Sequence, residues 1–265
     1  MAAQGQEESS RKELSFLAHL AELRQRLLRC VLCVLLLFLP LSLLSRDLYT
    51  LFALPLMERL GNEANMIATS VASPFITPLK LALFLALFLA IPYLFYQLWA
   101  FVAPGLYRRE KRLVLPLLIS SSLLFYLGSA FTYFLVLPVL FNFLLAMTPE
   151  GIVVMTDMNL YLGFCLKMFF AFGIAFETPL AVLLCVRTGI CSADTLAEKR
   201  ALIIVSAFVV GMLLTPPDIV SQFMLALPVW LLFEGGLLLA RKFPAPDPDP
   251  DPDTEDAEPR IHTAD

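Results

Sequence analysis

The chain reads as an all-α membrane protein: six transmembrane helices in a curved bundle, several of them kinked, with two short C-terminal crossings. Three observations predict this. The 265 residues are 59% hydrophobic with a mean hydropathy of +0.78, well above a soluble domain. Apolar runs long enough to cross a bilayer recur along the chain. Basic residues are concentrated in alternate loops, the signature of a polytopic protein.

The formal charge of −4 conceals that pattern. From Pro244 onward eight acidic residues stand against one basic residue, a contribution of −7 that leaves the remaining chain at +3. Residues 1–26 form a polar N-terminal segment, residues 27–243 the membrane domain, and residues 244–265 an acidic Pro-Asp tail unable to bury a core. Met1 to Ser9 are polar. Ser10 with Glu13 fits a capping box that starts a helix. Phe16, Leu20, Leu23 and Leu27 then make an apolar stripe, with His19, Glu22 and Arg26 on another face. This is an amphipathic interfacial helix leading into the first crossing, which has no small-x-small cleavage site behind it.

The crossings are placed at Leu27–Ser45, Phe75–Val102, Leu113–Leu137, Leu160–Val186, Ala201–Leu214 and Ile219–Ala240. An even number puts both termini on one side. The loops on that side hold Arg24, Arg26, Arg108, Arg109, Arg187, Arg200 and Arg241, whereas the others hold only Arg46 and Arg59, so the termini are expected in the cytoplasm. The fifth crossing reaches only about 21 Å against a core of about 30 Å, so the turn at Thr215-Pro216-Pro217-Asp218 is expected below the outer surface. Pro40, Pro92, Pro116, Pro138, Pro179 and Pro228 imply kinks. The outer loops Asp47–Pro74 and Pro138–Asn159 are expected to form short surface helices. Cys30 and Cys33 place two small apolar side chains on one helix face, and no second Cys or His pair accompanies them to suggest a metal or redox site.

Glu22 and Glu110 are the informative charges. Each sits inside a basic cluster, yet acidic residues contribute little to topology. Two carboxylates on one membrane face suit a cationic ligand, a pair of arginines best of all. The alternative for Glu22 is a local i,i+4 pair with Arg26. Within the membrane, Glu177 lies near mid-bilayer, where a carboxyl is expensive and usually functional. Gln222 opens the sixth crossing, and a joint polar patch with Glu177 for docking a partner helix is expected. Lys80 and Lys167 are expected to snorkel to the outer surface. Glu234 is read as structural.

Four strings resemble the TatC family, the core subunit of the twin-arginine protein translocase. They are His19-Leu20-Ala21-Glu22-Leu23-Arg24, Ser73-Pro74-Phe75 with Tyr96-Gln97-Leu98-Trp99-Ala100-Phe101-Val102-Ala103-Pro104-Gly105-Leu106-Tyr107, Phe172-Gly173-Ile174-Ala175-Phe176-Glu177-Thr178-Pro179, and Gly211-Met212-Leu213-Leu214-Thr215-Pro216-Pro217-Asp218. The similarity runs in order from about Leu14 to Lys242. It implies a glove-like six-helix protein of the bacterial inner membrane. Glu22, Glu110, Arg24 and Phe101 are then implied in binding twin-arginine signal peptides. Glu177 and Gln222 are implied in docking the single-helix partners TatA and TatB, and Pro55, Asp157 and Asp218 in assembly, including contact with other TatC copies. Transport of folded proteins by the family is driven by the proton-motive force. No cofactor, metal or nucleic acid is expected.

Two rival functions are weaker. A secondary transporter using Glu177 as an ion or proton site would call for broken helices repeated in two halves, and no such repeat is visible. An intramembrane enzyme lacks its residues: the chain has only His19 and His262, with no H-E-x-x-H and no Ser-His pair at membrane depth.

Overall fold

A computed structural model describes residues 2–60, 66–102, 114–149, 155–214 and 219–242. The expectations for Glu110, Asp218 and the acidic tail fall outside the described residues. Ten α-helices follow in order among the described residues: α1 (Ala2–Leu43), α2 (Ser45–Leu60), α3 (Ser73–Val102), α4 (Val114–Phe131), α5 (Leu137–Ala146), α6 (Met158–Ala175), α7 (Thr178–Arg187), α8 (Ala193–Glu198), α9 (Arg200–Leu214) and α10 (Ile219–Lys242). A π-helical segment, Thr132–Val136, joins α4 to α5. The architecture is all-α, as expected.

Five stretches are long and apolar enough to span a membrane: His19–Leu43, Ser73–Phe101, Leu115–Ala146, Met158–Arg187 and Gln222–Lys242. Arg200–Leu213 is apolar but shorter, as the sequence anticipated for the fifth crossing. The last two are the shortest of the set. α2 is the expected helix in the first outer loop; Tyr49 on it donates to the Met158 carbonyl at 3.1 Å.

Two boundaries differ from expectation. α1 begins at Ala2 rather than Ser10. Glu7 and Glu8 precede Arg11 and Lys12 by four residues, a spacing that favours continuing the helix through Ser10. The third crossing does not end at Leu137 but continues through α5 to Ala146. Pro138 lies in the first turn of α5, directly after a π-helical turn whose last bond runs from Leu137 N–H to the Thr132 carbonyl. The π segment just before it absorbs the change in winding. At the other expected break, α6 stops at Ala175 and α7 restarts at Thr178, with Pro179 in its first turn.

The core is aromatic and lies between α3, α4 and α6. Phe84, Phe169, Phe172 and Phe176 are buried, with Phe88 and Phe131 packed against them. Helices α4 and α6 approach closely through glycines. A Cβ at Gly128 would lie 2.5 Å from the Phe172 carbonyl oxygen, and one at Gly173 would lie 2.5 Å from the Phe125 ring. Small residues let backbones touch in lipid, where dispersion replaces the hydrophobic drive. α7 packs on α10 through Val182, Val186, Phe233 and Leu237. Glu234 is structural as read: its carboxylate receives Arg200 at 2.7 and 2.9 Å, tying the start of α9 to α10.

Candidate functional site

One candidate site lies where α1 meets the C-terminal end of α3. The residues His19, Glu22 and Arg26 share one face of α1 by their 3- and 4-residue spacing. That face turns to α3, while Leu20, Leu23 and Leu27 on the apolar stripe stay exposed. His19 stacks on Phe101 with ring centroids 4.2 Å apart. Arg26 is the hub. It donates through Nε and Nη2 to Glu22 Oε1 at 2.9 and 2.6 Å. It also donates to Gln97 Oε1 and to the Ala100 carbonyl, each at 3.2 Å.

Gln97 is buried at 4% exposure, and both ends of its amide are satisfied. Its oxygen faces Arg26, and its nitrogen donates to the Tyr93 hydroxyl at 2.7 Å. Sequence reasoning assigned no role to His19, Tyr93 or Gln97. The available signal was an amide at the end of an apolar helix, inside Tyr96-Gln97-Leu98-Trp99. Arg24 is exposed on α1. Its neighbour Glu22 keeps 38% of its side chain open to solvent while holding Arg26. The local-pair reading of Glu22 is therefore realised, yet its side chain stays partly open to solvent. Phe101 is half-buried at the point where the chain enters the segment carrying Glu110.

A second polar position interrupts the fourth crossing. Glu177 occupies the cap position between α6 and α7, and its side chain caps no N–H. Its Oε1 is buried with no hydrogen-bond partner among the described residues. The Ser121 hydroxyl faces the carboxyl and itself accepts from the Trp99 indole at 3.1 Å. Beside it runs an apolar groove of about 550 Å³ between α4, α7 and α10, lined by Phe176, Pro179, Leu180, Pro228, Leu231 and Gly235 among others.

Gln222 is not part of this spot. The α10 residue at the level of the kink is Gly236, where a Cβ would lie 2.8 Å from Pro179 Cα. Gln222 lies fourteen residues earlier on α10 (222 to 236), about 21 Å along a helix. It packs instead near Gly211 of α9. The two polar groups mark separate levels because α10 crosses α7 near its own C-terminal half.

Asp157 builds a clasp at the opposite membrane end. As cap of α6 its Oδ1 accepts from Asn159 N and Leu160 N, both at 2.9 Å. Its Oδ2 accepts from Thr69 N at 3.0 Å and Thr69 Oγ1 at 2.7 Å. Ile67 pairs with the same segment through Thr156 and Met158. The Leu160 backbone bond, followed by the Thr69 bonds, holds this carboxyl down to about 2. Pro55 falls within α2. Lys80 does not simply reach outward, because its Nζ donates to Asn159 Oδ1 at 2.9 Å. Among the described residues no three His, Cys, Asp or Glu side chains gather as a metal site.

Among the described residues, helices alone, five of them long and apolar enough to span a membrane, define the class of polytopic membrane proteins. The family model for Sec-independent protein translocase protein (TatC) matches residues 18–228. The TatC protein of Haemophilus influenzae is 51% identical over 225 residues, covering 85% of this chain and 88% of that protein. That of Escherichia coli K12 is 51% identical over 225 residues, covering 85% and 87%. The crystal structure of a twin-arginine translocase receptor, TatC, superposes with a TM-score of 0.75 at 34% identity, over 84% of this chain and 98% of that one. The chain belongs to the TatC family of Sec-independent protein translocases.

Proposed function

We propose that this chain is the signal-peptide receptor of a twin-arginine export system in a bacterial cytoplasmic membrane, with both termini in the cytoplasm. It acts as a transport subunit and not as an enzyme. The twin-arginine motif binds at the α1–α3 junction through Glu22 and Phe101, with Arg24 beside them and Glu110 supplied by the segment that follows α3. The observation that carries this reading is the Glu22 carboxylate, which already receives a guanidinium from Arg26 while remaining partly open. A ligand arginine would meet the same acceptor in the same charge-assisted geometry.

The single-helix subunits TatA and TatB dock along the lipid-facing side that carries Glu177 and Gln222, at two levels of the membrane. An unpartnered carboxyl oxygen beside an apolar groove supports that assignment, since a polar group on an incoming helix would satisfy it. Asp157, Pro55 and Asp218 serve the contact with further copies of the chain, and the proton-motive force drives transport of folded precursors.

The test is photo-crosslinking from positions 22 and 110 to a twin-arginine signal peptide in native membranes. Adducts are expected with an Arg-Arg peptide and not with a Lys-Lys one. Equal yields from both peptides would refute the carboxylate receptor.

A further inference from the structure

Lys167 is a cation that none of these contacts uses. It lies on α6 nine residues beyond Met158 (158 to 167), about 13 Å along the helix. The span Met158–Arg187 has 30 residues and a length of about 45 Å, so it exceeds a hydrocarbon core of about 30 Å by roughly 7 Å at each end. Lys167 therefore starts about 6 Å inside the apolar layer at the Asp157 end. It is exposed, on the same flank as Leu160 and Ile174, which are 71% and 65% exposed. Among the described residues it makes no hydrogen bond or ion pair.

What lies above it is built for an anion. Helical side chains lean toward the N-terminus of their helix, so the Lys167 stem runs toward the Asp157 end. One turn along that path is Gly163, where an added Cβ would meet nothing within 4 Å. One turn further is Asn159, whose Oδ1 accepts from Lys80 Nζ. Asn159, Gly163 and Lys167 form one i, i+4, i+8 row. A lysine on α3 and a lysine on α6 thus border one open notch. Among the described residues Asp157 makes no ion pair with either lysine, because its two oxygens accept four hydrogen bonds from Thr69 and the start of α6.

We propose that Lys80, Asn159, Gly163 and Lys167 bind the phosphate of an anionic phospholipid in the leaflet at the Asp157 end. The two ammonium groups supply the charge, the Asn159 amide a donor, and Gly163 the room for the headgroup. An acyl chain then follows the exposed flank of α6 past Ile174. Depth selects a lipid over a partner helix: the stem of Lys167 reaches the edge of the hydrocarbon layer from about 6 Å below it, as snorkelling lysines do, and meets the headgroup region there. The proposal rests on the membrane-spanning reading alone and not on the signal-peptide site.

Native mass spectrometry of the purified full-length chain with phosphatidylglycerol or phosphatidylcholine tests it. The wild-type protein should retain phosphatidylglycerol in preference to phosphatidylcholine. K167Q should lower apparent affinity for phosphatidylglycerol about five-fold, the effect of one lysine at an anionic surface, and K80Q similarly. K167R should restore binding, and melting without added lipid should match wild type, which separates lost contact from lost fold. Undiminished retention by K167Q, or equal retention of both lipids by the wild type, overturns the site. So does carbodiimide coupling of Lys167 to a carboxyl of another protein that excess phosphatidylglycerol does not reduce. Signal-peptide crosslinking from position 22 would be unaffected by any of these outcomes.

Discussion

Glu22 and Arg26, one turn apart on α1, form an ion pair at 2.6 Å, and the same guanidinium donates to the Ala100 carbonyl of α3. An exposed i,i+4 pair alone is worth about 0.3–0.5 kcal/mol. Here it also orients the side chain that fastens α1 to α3. Glu22 thus serves two roles: it presents a carboxylate at the basic membrane end and it fixes the helix that presents it.

Glu22→Gln removes the charge and keeps the shape. A charge-assisted hydrogen bond contributes about 1.5–3 kcal/mol, so binding of a twin-arginine peptide should weaken about ten-fold or more. Arg26 retains Gln97 and Ala100, so folding should survive. Peptide affinity and thermal melting, measured on the same preparation, check both halves.

Gln97→Leu should act in the opposite sense. The buried amide accepts from Arg26 and donates to Tyr93. Leucine strands part of the guanidinium and should destabilise the protein by about 1–3 kcal/mol. Melting in detergent, with Glu22→Gln for comparison, reads this out. An unchanged midpoint would show that the α1–α3 contact carries little stability.

Glu177→Leu separates function from stability. Its Oε1 is buried without a partner, so an apolar replacement should leave the melting temperature unchanged or raise it. Crosslinking of the partner helix near position 177 and export should both fall. A protein that melts much lower would mean that Glu177 holds the kink together.

Gly128→Ala should be more damaging than Gly173→Ala. The first would press a methyl against the Phe172 carbonyl, which is backbone; the second meets the Phe125 ring, which can turn. Overpacking of this kind costs about 1–3 kcal/mol, and the alanine at 128 should lie at the upper end. The order of the two melting midpoints is the measurement.

Asp157 predicts a pH dependence. Its carboxyl is held down to about 2 in the folded state, against about 3.9 in an unfolded chain. A depressed value means the clasp contributes fully above about pH 4 and is lost as pH falls toward 2. Thermal melting between pH 6 and pH 2 should show this slope, and Asp157→Asn should flatten it.

The spans were legible because hydrophobic length and loop charge act locally. Both are set by what each segment meets, lipid or water, whatever its neighbours do. The shortness of the apolar helix Arg200–Leu214 and the break before Pro179 followed from the same arithmetic of rise per residue and missing N–H groups. Pro138 misled because a proline ends a helix or begins one depending on the winding before it, and the π segment at Thr132–Val136 has no local composition signal. His19, Tyr93 and Gln97 were missed because their roles exist only across the α1–α3 contact.

Sequence by itself determined the all-α membrane class, the approximate positions of most of the apolar spans, the basic side and the family, through quantities carried by each segment alone. Only the tertiary structure decided that Arg26 joins Glu22 to Ala100, that Gly236 rather than Gln222 stands beside the Glu177 kink, and that Lys80 and Lys167 border one notch. Those relationships depend on how far each helix slides and turns against another. In lipid that is settled by close packing at positions such as Gly128 and Gly173, and not by hydrophobicity, which is nearly the same at every register.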